Sequence, residues 1–163
     1  PVNLTVNHPR INRTDVESAA EMFGAATEAF KTADAAILCA AVADFAPATQ
    51  AQEKMKRGKE NLTLQLHPTQ DIAAALGNMK SDKQKLVGFA LETTDERANA
   101  QRKLENKKLD FIVLNSLNDK GAGFAHETNK ITIISHDKET AFPLKSKREV
   151  ARDIIDCLCK LYD

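Results

Sequence analysis

No stretch of this 163-residue sequence approaches the roughly 18 consecutive apolar residues that a membrane-crossing helix needs. Nor does a charged-then-apolar leader with a small-residue cleavage site open it, so the expectation is a soluble, cytoplasmic protein with no membrane partner. An excess of either charge is missing too: 23 Lys and Arg stand against 23 Asp and Glu. That balance supplies no global field for nucleic acid, and any phosphate site has to be built locally. Cysteine is scarce, with Cys39, Cys157 and Cys159 alone. An odd count at this low density excludes a secreted disulfide scaffold and predicts reduced thiols. Cys157 and Cys159 point apart on a helix, and His8, His67, His126 and His136 are scattered, so neither a zinc site nor a nucleophile's base is indicated. No G-x-G-x-x-G opens a helix, which argues against a nicotinamide-linked dehydrogenase, and the Gly121-Ala122-Gly123 turn is too short to replace it. An initiator methionine is absent as well; beginning at Pro1, the sequence reads as a piece of something longer.

What is present is an apolar fraction of 42% in a chain of single-domain length, enough for one core over residues 1–163. VNLTV at 2–6 reads as a strand. Ser18 and Glu21 form a capping-box pattern, opening a helix with an inner stripe of Ala19, Met22, Phe23, Ala26 and Phe30. AAILCAAV at 35–42 is continuous apolar sequence, the pattern of a strand buried on both faces. LTLQLH at 62–67 alternates, predicting a strand with one face toward water or a partner. A short helix over 71–79 follows, with Thr69 as its cap. LVGFAL at 86–91 and DFIVLN at 110–115 read as buried strands, separated by a helix with a second capping box, Thr93 to Glu96. ITIIS at 131–135 and AFPL at 141–144 predict a hairpin. Ser146 and Glu149 cap a last helix lined by Val150, Ile154, Leu158 and Leu161. The alternation predicts an α/β fold: a three-layer, Rossmann-like, mostly parallel sheet with helices on both faces and an antiparallel edge hairpin.

Ligands of such sheets sit at the carboxyl ends of the strands, so the residues there carry the interest. After the first buried run come Ala40, Ala41 and Asp44. Small side chains admit a ligand close to the backbone, and an acid can take a ribose hydroxyl or a cation; a packed strand end with a solvated acid is the plainer alternative. Lys54, Lys56, Arg57 and Lys59 are either a solvated face or a mobile cationic segment able to close over phosphate. Gly88 suggests close approach by another group, and Phe89 offers a flat face for a base or simply packs in the core. Lys103 and Lys107 stand four apart on one helix face; they repel by a few tenths of a kcal/mol unless a polyphosphate lies between them. Asn115 ends the next strand as a polar contact or a turn former.

Taken together, AAVADFAP, EKMKRG, the alternating LTLQL, T-x-D-I, VGFALET, KLxxKKLDFIVLN, NKITII and KREVARDI resemble phosphopantothenoylcysteine synthetase, also called phosphopantothenate-cysteine ligase. In bacteria that family is commonly the carboxy-terminal half of a bifunctional coenzyme A biosynthesis protein, which implies fusion to a flavin-dependent decarboxylase domain. The resemblance implies a ligase that activates 4'-phosphopantothenate with CTP and Mg²⁺ through an acyl-cytidylate, then joins it to cysteine. It implies that Lys54 is the mobile catalytic lysine and that Asp44 meets nucleotide or metal beside Ala40 and Ala41. Thr69, Gln70, Asp71 and Ile72 would cradle the nucleotide, with Phe89, Lys103 and Lys107 as further contacts; no protein metal ligand is assigned. A homodimer is implied, with the strand around 62–67 as its seam. Family members begin with a glycine-rich loop and a serine-rich motif containing an active-site asparagine. Neither precedes Pro1, so the expectation is a fragment of the domain lacking that unit, and TQDI replaces the commoner proline-containing motif. A non-catalytic nucleotide-binding or dimerisation domain is the alternative.

Overall fold

The computed structural model describes residues 7–49, 51, 53–57, 61–92, 94–116 and 126–163. The expected strand at 2–6, the capping Thr93, and Gly58, Lys59, Gly121 and Gly123 lie outside the described residues. In chain order the elements are α1 (Ala19–Phe30), β1 (Ala35–Leu38), β2 (Phe45–Pro47), β3 (Leu66–Pro68), α2 (Ile72–Met79), β4 (Lys85–Glu92) and α3 (Glu96–Asn106). There follow β5 (Phe111–Ser116), β6 (Thr128–Asn129), β7 (Ile131–Ser135), β8 (Glu139–Ala141), β9 (Lys145–Ser146) and α4 (Lys147–Cys159). Among the described residues no helix is long and apolar enough to cross a membrane.

The central sheet runs β1-β4-β5-β7-β8. β1, β4 and β5 pair in parallel, with Ile37 opposite Val87 and Val87 opposite Phe111, while β7 and β8 close the sheet as an antiparallel hairpin. The fold is therefore the α/β class the alternation predicts. Period-two alternation splits the strands cleanly. Leu86, Ala90, Ile112, Leu114 and Ile134 join Phe30, Ile72, Leu76, Ala100 and Leu104 from α1, α2 and α3 on one face. Val87, Phe111, Val113, Ile131 and Ile133 meet Val150, Ile154 and Leu158 of α4 on the other.

Cap chemistry sets the helix starts. Ser146 and Glu149 form the full box that opens α4. At α1 the Ser18 hydroxyl accepts the Glu21 N–H at 3.1 Å, but the Glu21 carboxylate accepts chiefly from the N–H of Glu17, one residue upstream. α2 is capped by Asp71, which accepts from the Ala74 N–H at 3.0 Å. Thr69 stands two residues too early for that role; its hydroxyl donates to the Ala43 carbonyl at 2.6 Å and its N–H to the Asp44 carbonyl at 2.9 Å. α3 begins at Glu96 after Asp95, whose φ of 48° is left-handed and whose side chain makes no capping bond. Glu96 is thus the first helical residue rather than the third, and the expected box has no register.

Other expectations change with burial. β1 stops at Leu38, is only half-buried and borders β4 alone among the described residues, because residues 39–44 leave the ladder. The alternating strand contracts to β3, paired antiparallel with β2; Leu62, Leu64 and Leu66 are all exposed. β8 starts two residues earlier than expected because Ser135 and Lys138 close the turn by mutual hydrogen bonds. Leu161 lies beyond α4 and is exposed. Gly77 permits the closest helix approach, since a Cβ there would sit 2.0 Å from the Lys107 carbonyl oxygen.

Candidate functional site

A cavity of about 810 Å³ opens where β1 ends, bounded by α1, the start of α2 and the flank of α3. Its wall is residues 37–45, which stay irregular after β1, and small residues there leave main-chain groups accessible. Thr69 ties this wall to the loop before α2 through its two bonds to Ala43 and Asp44. The floor includes Gly88. The close approach that glycine suggests is made by a side chain of the chain itself: a Cβ on Gly88 would lie 2.7 Å from Leu109 Cδ1.

Ala40, Ala41, Asp44, Thr69, Gln70, Asp71, Ile72, Phe89, Lys103 and Lys107 all line this one space. Lys54 does not; it is exposed on the irregular stretch that follows β2. Phe89 also packs against the cluster under α4, because alternation turns it to the face opposite Gly88. Asn115, one residue before the end of β5, has its Oδ1 buried and without a hydrogen-bond partner among the described residues.

The two lysines are not free cations. Lys103 Nζ lies 2.6 Å from Glu92 Oε1, and Lys107 Nζ lies 3.1 Å from Asp71 Oδ2. Glu92 is the better buried partner, its side chain 15% exposed, and its Oε2 also accepts from Asn99 Nδ2 at 3.2 Å. Partial burial pushes the Asp71 carboxyl up, but the Ala74 N–H and Lys107 outweigh it and hold it below the usual range. Asp71 therefore both caps α2 and holds Lys107. Asp44 makes no side-chain hydrogen bond or ion pair among the described residues and stays exposed. Nor does any group of three or more His, Cys, Asp or Glu converge among them as a metal cage. Glu92 was not singled out from the sequence: its contact with Lys103 spans eleven positions and depends on α3 folding back along β4. Chemically, the site offers exposed backbone for a flat ligand, one unengaged carboxylate, and two ammonium groups that an incoming anion can share or capture.

Residues 1–162 match the family described as DNA/pantothenate metabolism flavoprotein C-terminal domain. A "Cysteine/Cysteine sulfinic acid decarboxylase" from an unknown prokaryotic organism is 58% identical over 95% of this chain and 44% of its own length. The "Coenzyme A biosynthesis bifunctional protein CoaBC" of Bacillus subtilis is 42% identical over 99% of this chain and 40% of its own length. The chain thus spans about two fifths of these curated relatives. A crystal structure of the C-terminal domain of a CoaBC protein superposes with a TM-score of 0.69 at 35% identity, covering 90% of this chain and 64% of that one. The DNA/pantothenate metabolism flavoprotein of Streptococcus pneumoniae, at 16% identity over 97% of this chain and 76% of that one, shares the fold with a TM-score of 0.77.

Proposed function

Because the chain belongs to the DNA/pantothenate metabolism flavoprotein C-terminal domain family, we propose that it is the ligase region of a coenzyme A biosynthesis protein. It joins 4'-phosphopantothenate to L-cysteine at the expense of CTP. The observation that carries this reading is the single cavity beside Asp44 that gathers the small-residue wall, the α2 start and both α3 lysines.

In this reading the 40–43 wall and the segment from 69 to 72 hold base and ribose, and Lys103 and Lys107 draw the polyphosphate. The pantothenate carboxylate oxygen attacks the α-phosphorus and pyrophosphate leaves, giving an acyl-cytidylate. The cysteine amine then attacks the acyl carbon, loses its proton, and CMP departs as the amide forms. Lys54, on its exposed segment, closes over the reacting phosphate, where a positioned cation stabilises charge that develops only in the transition state. Mg²⁺ would be held mainly by phosphate oxygens and water with Asp44 as its protein contact, in keeping with a donor set too sparse for an all-protein cage, and would neutralise triphosphate charge. The chain pairs with a second copy through the arm of β2 and β3 and the stretch that leads into β3, where Leu62, Leu64 and Leu66 are 68%, 58% and 55% exposed on alternate positions. Fusion to a flavin-dependent decarboxylase domain belongs to the same reading.

A second reading, a nucleotide-binding or pairing domain without chemistry of its own, is favoured by one observation: Lys54 stands outside the cavity lining. Thermal-shift titrations with CTP, ATP and NAD, each with Mg²⁺, rank the ligand classes through stabilisation of the folded state. Lys54→Gln in the full-length protein is expected to abolish turnover while CTP still binds. Unchanged turnover removes Lys54 from the mechanism, and wild-type binding of CTP with no amide product selects the second reading. Leu64→Glu is expected to give a monomer by sedimentation; an unchanged oligomeric state removes the arm as the seam.

A further inference from the structure

Alongside the cavity, a second hollow of about 350 Å³ lies on the flank of α3, lined by Glu92, Asn99, Arg102, Lys103, Asn106 and Lys107. Lys103 and Lys107 line both spaces, so the two meet at those ammonium groups. Every lining residue is of a polar or charged type, with three cations against one carboxylate. Glu92 answers Lys103, and Lys107 is drawn the other way to Asp71 in the cavity. That leaves Arg102. Its Nη2 donates to Asn99 Oδ1, a neutral amide, and no carboxylate among the described residues comes within ion-pair distance.

Asn99 in turn donates to Glu92 Oε2 at 3.2 Å and to the Thr94 carbonyl at 3.0 Å. Arg102, Asn99, Glu92 and Lys103 therefore form one linked row along the hollow. The row orients the guanidinium and leaves the rest of its donors without an acceptor among the described residues. A planar guanidinium with several parallel N–H groups suits the oxygens of a phosphate better than a point charge does. Asn106 adds a neutral donor beside it.

We propose that this hollow is an anion subsite that takes the phosphate-bearing end of a ligand whose other end fills the cavity, with Arg102 as its outer anchor and Lys103 and Lys107 shared. The ligand's cavity end rests on the ligase reading; the subsite itself does not. Two sources share the chemistry: the terminal phosphates of the nucleotide, and the phosphomonoester of the pantothenate substrate.

The test is isothermal titration of the full chain with inorganic pyrophosphate, comparing wild type, Arg102→Gln and Arg102→Lys. Arg97→Gln serves as control, since Arg97 is on the same helix but pairs with Glu139 outside the hollow. Arg102→Gln is expected to weaken pyrophosphate about tenfold, with partial rescue by lysine and no change in the control. Equal affinity in wild type and Arg102→Gln, or no binding by wild type, overturns the subsite. Repeating the pair with CTP against CMP, and with 4'-phosphopantothenate against pantothenate, shows which phosphate occupies it. If pyrophosphate binding depends on Arg102 while wild type binds no CTP, the subsite stands and the ligase reading falls.

Discussion

Against one face of the five-stranded sheet, α4 lays Val150, Ile154 and Leu158 over Val87, Phe111, Val113 and Ile131. Against the other, α1, α2 and α3 leave about 810 Å³ open beside Gly88. The contrast is written into alternate residues of β4: Val87 and Phe89 turn toward α4, while Leu86, Gly88 and Ala90 turn toward the cavity side. The α4 face is packed along its length, whereas the other face carries both a core cluster around Phe30, Leu76, Leu86 and Leu104 and the open cavity. The α4 core and the cavity are thereby separated by the thickness of a single strand layer.

That separation can be broken by substitution. The largest effect is expected from Ile154→Ala, which empties a 5% exposed position under α4. It should cost about 2–5 kcal/mol in urea unfolding and leave CTP affinity unchanged while the protein is folded. A fall in affinity would mean that the faces are coupled. Gly77→Ala comes next. The new methyl would meet backbone, the Lys107 carbonyl carbon and oxygen at 2.8 and 2.0 Å, so α2 and the end of α3 must separate. About 1–3 kcal/mol of stability should go, and nucleotide affinity with it as Asp71 and Lys107 part. Unchanged affinity would show that the cavity side tolerates a shift of its helices. Lys107→Gln should do the reverse of Ile154→Ala, losing about tenfold in CTP affinity with stability within about 0.5 kcal/mol by the same unfolding measurement, because its ion pair is part-exposed.

Acidification is the mildest probe. The carboxyls of Asp71 and Glu149 both sit below their usual range, the first through the Ala74 N–H and Lys107, the second chiefly through the Ser146 side chain. Depressed native values mean that their stabilisation is complete above the ordinary carboxylate range near about pH 4 and is lost as pH falls through the lower native values. The thermal midpoint should decline across that window, and Asp71→Asn should flatten part of the decline. If Asp71→Asn leaves the curve unaltered, the cap and clamp at the cavity contribute nothing to the linkage.

Family and fold class were legible in the sequence because both rest on order along the chain: the succession from AAVADFAP to KREVARDI, and runs such as LVGFAL and DFIVLN flanked by helices. The four-residue spacing put Lys103 and Lys107 on one helix face, and the resemblance joined them and Lys54 to Asp44; the two α3 lysines line the cavity with Asp44 and Lys54 does not. What was not legible depends on distance in space. Thr69 has the chemistry of a cap, yet Asp71 two residues later takes the role while Thr69 bonds across to Ala43. Residues 39–42 are as apolar as a buried strand, but they border the cavity and pair with no strand among the described residues. Glu92 looks like any strand-end acid until α3 folds back and brings Lys103 to it.

Each cavity lysine rests against its own carboxylate, Lys103 on Glu92 and Lys107 on Asp71. At those two ammonium groups an incoming anion therefore has to displace a carboxylate before it gains one. A singly charged solute gains little by exchanging one carboxylate for itself. A visitor that engages both ammonium groups at once recovers more of what it displaces. On the proposed function the same exchange would assist dissociation: as the visitor loosens, the two carboxylates would reclaim their lysines.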